Sequence, residues 1–91
     1  MDEVKTLKGY AIAVLTQGFV YVGQVSVDAE WCVIHEARNI RRWGTTNGLG
    51  ELAMNGPTEK TVLDDAGTVR APRAALVHLI DTEESRWTAR S

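Results

Sequence analysis

The chain has 91 residues with 10 basic and 12 acidic side chains, which give it a formal net charge of −2 at pH 7. A chain of this length forms a single domain, residues 1–91, and its 44% apolar content excludes wholesale disorder. The bulk charge argues against non-specific DNA binding, because general polyanion binders are strongly basic. Any anion site therefore has to be local.

The single cysteine, Cys32, excludes an internal disulfide. A domain of this size buries only roughly 60–65% of its unfolded surface, and such domains usually recruit disulfides, a metal or a partner subunit. We therefore expect a homo-oligomer. The apolar run AIAVL at residues 11–15 is too short for a signal peptide or a membrane span. We expect a cytoplasmic protein with no membrane partner.

The first part of the chain has the pattern of short β-strands. Residues 10–15 are apolar and β-favouring, and residues 19–27 (FVYVGQVSV) alternate with a period of two. Gly23 interrupts the apolar row, as expected where a strand bends sharply or carries a bulge. The short polar turn at residues 28–30 leads into residues 31–37 (WCVIHEA), so the two strands predict a hairpin.

Residues 38–60 break this pattern and predict a long loop. Four of the eight glycines and one of the two prolines lie in this stretch. Within it, residues 51–54 (ELAM) predict one helical turn, which Asn55-Gly56-Pro57 stops. Long ordered loops in compact domains are usually functional, so the length of this loop favours a binding role.

Strand signals return after residue 60. Residues 61–65 (TVLDD) and 68–71 (TVRA) flank a hairpin-like turn at residues 66–67. Residues 74–81 (AALVHLID) favour a strand, although a helix that starts at Pro72 stays open. The polar tail, residues 82–91, is expected to be frayed, with Trp87 as an anchor. About five short strands with one long insertion predict an all-β fold, a small and strongly bent β-barrel.

The sequence gives no support for a cofactor or a catalytic site. Residues 48–53 (GLGELA) satisfy the pattern G-x-G-x-x-A, but the dinucleotide fingerprint needs a strand before it and a long helix after it. Cys32 and His35 have opposite strand parity, so they cannot chelate a metal together, and His78 fits a core or interface position. No nucleophile has a base fixed beside it. We expect a non-enzyme without metal or cofactor.

The loop carries residue types that suit a phosphorylated, aromatic ligand. Arginine forks bind phosphate, a tryptophan face stacks on a base, and backbone N–H groups of a Gly/Thr/Asn segment can form a nest for an anion. The candidate ligand-binding residues are Arg41, Arg42, Trp43, Gly44, Thr45, Thr46, Asn47, Gly48 and Gly50, with Arg70 as a further anion contact if its strand lies beside the loop.

Two alternatives to a shared ligand site stay open. Consecutive strand residues point to opposite faces, so Arg41 and Arg42 need not meet one ligand. The loop also fits a structural role, in which Trp43 caps the barrel and Arg42 pairs with Glu36 or Glu51.

Two stretches resemble Sm-like and SH3-like barrels. GFVYVGQVSVDAEWCVIHEARNI, residues 18–40, is similar to the first half of such a barrel, and TVRAPRAALVHLID, residues 68–81, is similar to the closing segment of Sm-like proteins. Sm-like proteins form rings and bind RNA, often at pockets between subunits, so the resemblance implies RNA as an alternative partner. The connection at residues 43–60 is longer than the corresponding one in that family.

A second resemblance covers the loop and the strand after it. IRRWGTT-GLGELA--GPT--T-LD, residues 40–64, looks like the hallmark segment of a family of small proteins encoded largely by bacteriophages. Small phage proteins of this size include several unrelated families that sequester cyclic nucleotide signals of bacterial defence. This context implies an anti-defence protein in the cytoplasm of a bacterial host.

These observations converge on one hypothesis. The protein is expected to bind a small phosphorylated nucleotide without turning it over, with Arg41 and Arg42 on phosphate and Trp43 stacked on the base. The alternatives are an Sm-like RNA-binding ring and a phage structural or protein-interaction module, whose mark would be a large exposed apolar patch.

Overall fold

A computed structural model describes residues 7–88 of the chain and the side-chain environment of residues 9–87. The strands are β1 (Leu7–Leu15), β2 (Val20–Val27), β3 (Trp31–Arg42), β4 (Val62–Pro72) and β5 (Leu76–Asp81). Two short α-helices, α1 (Leu49–Asn55) and α2 (Glu84–Thr88), and two 3₁₀ turns, Thr16–Gly18 and Arg73–Ala75, connect or follow them. Residues 89–91 of the predicted tail lie outside the described part.

The strands form one antiparallel sheet in the order β4-β3-β2-β1-β5. The prediction of about five strands and of a β2–β3 hairpin is confirmed. The sheet is not closed into a barrel, because β4 and β5 are its two edges and do not pair with each other in residues 7–88. Alternation along single strands predicts strands well, but closure depends on the register and twist of all five together.

One face of the sheet buries an apolar cluster without the help of a helix. Its buried members are Ala11, Ala13, Val25, Val27, Cys32, Ile34 and Ala37. Val69 of edge strand β4 and Leu79 of edge strand β5 both pack against this cluster. Because neither helix contributes to it, the sheet has to curl around this face to exclude water. The predicted all-β fold is therefore present as an open sheet, and its strong bend stays a prediction.

The opposite face of the sheet is covered by the two helices. Its buried cluster consists of Ile12, Val20, Val22, Ile40, Leu52, Ala53 and Trp87. Leu52 and Ala53 come from α1 and Trp87 from α2. The tail was expected to be frayed with Trp87 as an anchor; Trp87 is buried, and residues 84–88 form a helical turn rather than a frayed segment. None of the helices in the described part is long and apolar enough to cross a membrane.

Adjacent bulges distort the middle of β3 and β4. The register between β2 and β3 shifts where Gly23 lies opposite two residues of β3, one of which, Glu36, has a φ of +52°. On the other side, Ala37 pairs with Gly67 and Arg38 with Asp65, so Ala66 is an extra residue of β4. The predicted bulge at Gly23 is confirmed, and the two bulges increase the local twist and bend of the sheet.

The structure corrects the predicted hairpin at residues 61–71. Both halves belong to β4, which pairs with β3 from Val62 to Pro72, and Gly67, with a φ of +69°, sits in a bulge rather than a turn. A glycine between two β-favouring runs fits either structure, and only pairing with β3 distinguishes them. The choice between strand and helix for residues 72–81 is decided in favour of a strand, because a 3₁₀ turn at Arg73–Ala75 leads into strand β5.

Candidate functional site

The predicted loop is shorter than its sequence pattern suggested. β3 continues to Arg42, which pairs with Val62 of β4, so the connection begins at Trp43 rather than at residue 38. The connection contains α1, which confirms the helical turn predicted at residues 51–54. The end of β3 was not predicted because residues 38–42 (RNIRR) are mostly polar. They pair with an edge strand, and only Ile40 among them is buried.

Hydrogen bonds tie the two ends of this connection together. The Thr61 hydroxyl donates to the Trp43 carbonyl at 2.7 Å, and the Thr58 hydroxyl donates to the Gly44 carbonyl at 2.9 Å. The Thr58 N–H donates to the Thr61 hydroxyl at 2.9 Å. Gly44, with a φ of +73°, lies so close to the backbone of Lys60 and Thr61 that a Cβ would be 2.5 Å from their atoms. The loop is therefore an ordered platform at its base.

Arg41 is an extra residue in the β3–β4 register, and its side chain forms an ion pair with Asp64. The Arg41 guanidinium donates to the Asp64 carboxylate, with Nε 2.7 Å from Oδ2 and Nη2 3.4 Å from Oδ1. The hydrogen bond to Arg41 lowers the pKa of Asp64, and the same bond raises the pKa of Arg41. Both side chains are exposed, so the pair contributes little stability. Arg41 is thus less available for phosphate than was predicted.

Acid should break the Arg41–Asp64 pair only at a pH below the ordinary pKa of an aspartate. Because the fold lowers the pKa of Asp64, the stabilisation from the pair is present above the ordinary pKa of 3.8 and is lost as the pH falls through the lowered value. We expect NMR titration of the Asp64 carboxyl carbon to show this depressed pKa, and Arg41→Gln to raise it. Identical Asp64 titrations in both proteins would contradict the pairing.

Arg42 and Trp43 have the exposure that a binding site needs. The Arg42 side chain is exposed and takes part in no hydrogen bond or ion pair with the described residues, so the alternative pairing with Glu36 or Glu51 is absent there. Trp43 is 43% exposed, and an atom of its ring would lie 3.8 Å from a Cβ at Gly48. Trp43 therefore does not cap the core. Its ring lies over the loop and leaves area for a ligand.

The predicted cradle at residues 44–50 is partly filled by the chain itself. The Thr45 hydroxyl donates to the Gly48 carbonyl at 2.8 Å, and the Asn47 N–H donates to the Glu51 carboxylate at 2.8 Å. Thr46 and Gly50 are exposed. Because Glu51 already accepts from the Asn47 N–H, this backbone donor is not available to an anion. Arg42 is the cation beside the loop whose side chain is unpaired in the described part of the chain.

Arg70 lies away from the loop, which corrects its place in the predicted site. β4 starts beside the loop at Val62 and runs away from it without a turn, so Arg70 is about 26 Å farther along the strand. Its guanidinium lies over the ring of Trp31, 5.7 Å from the centroid. The predicted turn at residues 66–67 would have folded this strand back, and its absence separates Arg70 from the loop.

The structure also forms a hollow that sequence reasoning missed. It has a volume of about 490 Å³ and is lined by Tyr10, Glu36, Ala37, Arg38, Asp65, Gly67 and Trp87. These residues come from β1, β3, β4 and α2, and the hollow lies where the bulges of β3 and β4 meet. No local motif joins residues that lie so far apart in the chain.

The soft metal ligands do not converge. Cys32 is fully buried, and desolvation raises the pKa of its thiol, so it packs as a small hydrophobic residue. His35 and His78 are both exposed, so His78 is not in the core of the chain and its alternative position at an interface stays a prediction. Leu79 and Ile80 fill the two faces of β5 instead. Within residues 7–88, no group of three histidine, cysteine or acidic side chains could hold a metal ion.

Comparisons with known proteins add no homologue. The chain matches no family model, and no curated protein and no solved structure is significantly similar to it. The interpretation of both regions therefore depends on their geometry and chemistry.

Proposed function

We propose that this protein binds a small phosphorylated nucleotide at Arg42 and Trp43 and releases it unchanged. The observation that carries the proposal is the half-exposed ring of Trp43, held on an ordered connection directly after an arginine without a partner in the described part of the chain. A base would stack on Trp43, and a phosphate would accept hydrogen bonds from the Arg42 fork. The loop supplies no residue arranged to attack the ligand.

The biological setting is part of the same proposal. The loop sequence resembles a family of small bacteriophage proteins, and proteins of that size include several that sequester cyclic nucleotide signals. Sequestration requires tight binding without turnover. We therefore propose a role against host defence in the cytoplasm of a bacterium, with a cyclic nucleotide as the ligand.

Calorimetric titration with cyclic mononucleotides and dinucleotides tests this function. We expect Trp43→Ala to weaken binding of the best ligand by about ten-fold or more, since stacking on an aromatic ring contributes roughly 1–3 kcal/mol per base. Arg42→Gln should weaken the binding of a phosphorylated ligand but leave the affinity for the corresponding nucleoside unchanged.

Two matched variants serve as controls. Trp31 is 42% exposed, close to the 43% of Trp43, but lies under Arg70 away from the loop. Arg41 adjoins Arg42 but is paired with Asp64. Trp31→Ala and Arg41→Gln should therefore leave affinity within about two-fold of the native value. Equal losses in the controls, or no binding of any of these nucleotides, would refute the proposed site.

An Sm-like RNA-binding ring is the second candidate. The strand order β4-β3-β2-β1-β5 favours this candidate, because within residues 7–88 it leaves the β4 and β5 edges of a subunit unpaired. A 3₁₀ turn connects these two strands. The β4 edge of one copy can pair with the β5 edge of the next, which also supports the proposed homo-oligomer. Native mass spectrometry gives the subunit number. RNA binding through several phosphates should weaken steeply with salt, whereas one stacked nucleotide should respond less.

A further inference from the structure

The hollow between β1, β3, β4 and α2 has the composition of a small-molecule site and does not depend on the loop. Its volume of about 490 Å³ lies within the usual range for ligand pockets, roughly 300–1,000 Å³. Two residues on its rim, Glu36 and Gly67, have positive φ values of +52° and +69°. A non-glycine residue in this region is strained, and such strain is concentrated at binding and catalytic sites.

The charged groups around the hollow have unused hydrogen-bonding capacity. Arg38 Nη2 donates to the Tyr10 hydroxyl at 2.8 Å, and no other described residue accepts from this guanidinium. Asp65 and Glu36 accept no hydrogen bond within the described part of the chain. Arg38 and Asp65 are direct partners across the β3–β4 ladder, yet they form no ion pair. Donors and acceptors therefore face the same space without neutralising each other.

The lining selects among ligands by charge and shape. One arginine and two carboxylates give a formal charge of −1, which disfavours a phosphate inside the hollow. Tyr10 is half-buried and gives the hollow an aromatic side against which a planar ring can pack, and its ring is held by the buried ring of Trp87, with the centroids 6.1 Å apart and the planes tilted by 49°. A planar base that offers acceptors to Arg38 and donors to Asp65 would satisfy both groups at once.

We infer that this hollow binds a guanine base. Arginine binds the O6 and N7 acceptors of guanine as a fork, and a carboxylate accepts from the donors of a base edge. Guanine presents N1–H and the 2-amino group beside O6, so Asp65 takes the two donors while Arg38 takes the acceptors. Adenine lacks both O6 and the N1–H and cannot make this pair of contacts.

Titration of the full chain with guanosine, inosine and adenosine tests the inference. We expect guanosine to bind most tightly, inosine to bind more weakly because it lacks the 2-amino group, and adenosine to bind about ten-fold more weakly or worse. Asp65→Asn should lower the affinity for guanosine by about ten-fold, since the single oxygen of an amide cannot replace both carboxylate oxygens as acceptors for the two donors of the base. Asp65 is exposed and its carboxylate has no hydrogen-bond or ion-pair partner among the described residues, so this variant should fold normally.

The adjacent carboxylate provides the control. Asp64→Asn removes the same charge one residue away, but Asp64 is paired with Arg41 and does not line the hollow. Guanosine affinity should be unchanged in Asp64→Asn and in Trp43→Ala, which separates this site from the proposed loop site. Absence of guanosine binding, equal affinity for adenosine, or equal losses in Asp64→Asn and Asp65→Asn would overturn the inference.

Discussion

Trp87→Ala is expected to lower the free energy of unfolding by about 3–5 kcal/mol, the usual cost of replacing a buried tryptophan by alanine. Trp87 is only 2% exposed, and it packs with residues of the sheet and of α1 in one cluster. Its indole N–H donates to the Ala53 carbonyl at 3.0 Å, and the same carbonyl accepts from the Glu83 N–H at 3.0 Å, so the substitution removes one of two hydrogen bonds to this oxygen. Urea denaturation at fixed protein concentration measures the loss.

Two other tryptophan variants distinguish burial from a general effect of removing an indole. Trp43→Ala makes the same chemical change at a 43% exposed position and should cost less than about 1 kcal/mol. Trp87→Phe keeps most of the buried area but loses the N–H, so an intermediate loss is expected. If Trp87→Ala were no more destabilising than Trp43→Ala, α2 would not be part of the folded core.

The burial of Trp87 shows which parts of the fold local sequence patterns can predict. The strands before residue 38 were predictable because alternation with a period of two is a local signal, and α1 was predictable because ELAM is followed by Asn-Gly-Pro. The tail has no periodic pattern that predicts a helix, and only Trp87 indicated an anchor there. Trp87 is buried through contacts with Tyr10 and Ala53, residues far from it in the chain, so its environment exists only after the sheet has formed.

The candidate site shows the same division between local and long-range information. The sequence singled out Arg42 and Trp43, and both are exposed as a ligand contact requires. The sequence could not show that Arg41 pairs with Asp64, because the two residues are 23 positions apart in the chain. Nor could it show that Glu51 accepts from the Asn47 N–H, because this contact depends on where α1 begins.

The hollow depends on a feature that the sequence shows least clearly. Two bulges on neighbouring strands place Glu36, Arg38 and Asp65 around one space. Nothing in the local sequence EAR marks Glu36 for a positive φ, since glutamate rarely adopts that conformation. Only the pairing of β3 with both of its neighbours requires the extra residue.

Gly44→Ala is expected to destabilise the protein by about 2–5 kcal/mol and to disorder the loop base. The φ of +73° alone costs an L-residue about 1–2 kcal/mol. The new Cβ would also lie 2.5 Å from backbone atoms of Lys60 and Thr61, and relieving such overpacking costs typically about 1–3 kcal/mol. Because backbone cannot rotate away as a side chain can, the two ends of the connection must separate.

Gly18→Ala is the matched control for this effect, because Gly18 has a similar φ of +83° but nothing within 4 Å of a Cβ. It should show the conformational cost alone, about 1–2 kcal/mol. Hydrogen exchange at the Thr61 amide, which donates to the Thr58 carbonyl at 3.1 Å, should accelerate in Gly44→Ala and stay unchanged in Gly18→Ala. Ligand affinity at Arg42 and Trp43 should fall only in Gly44→Ala. Equal stability losses with equal exchange would mean that the close backbone contact does not hold the loop.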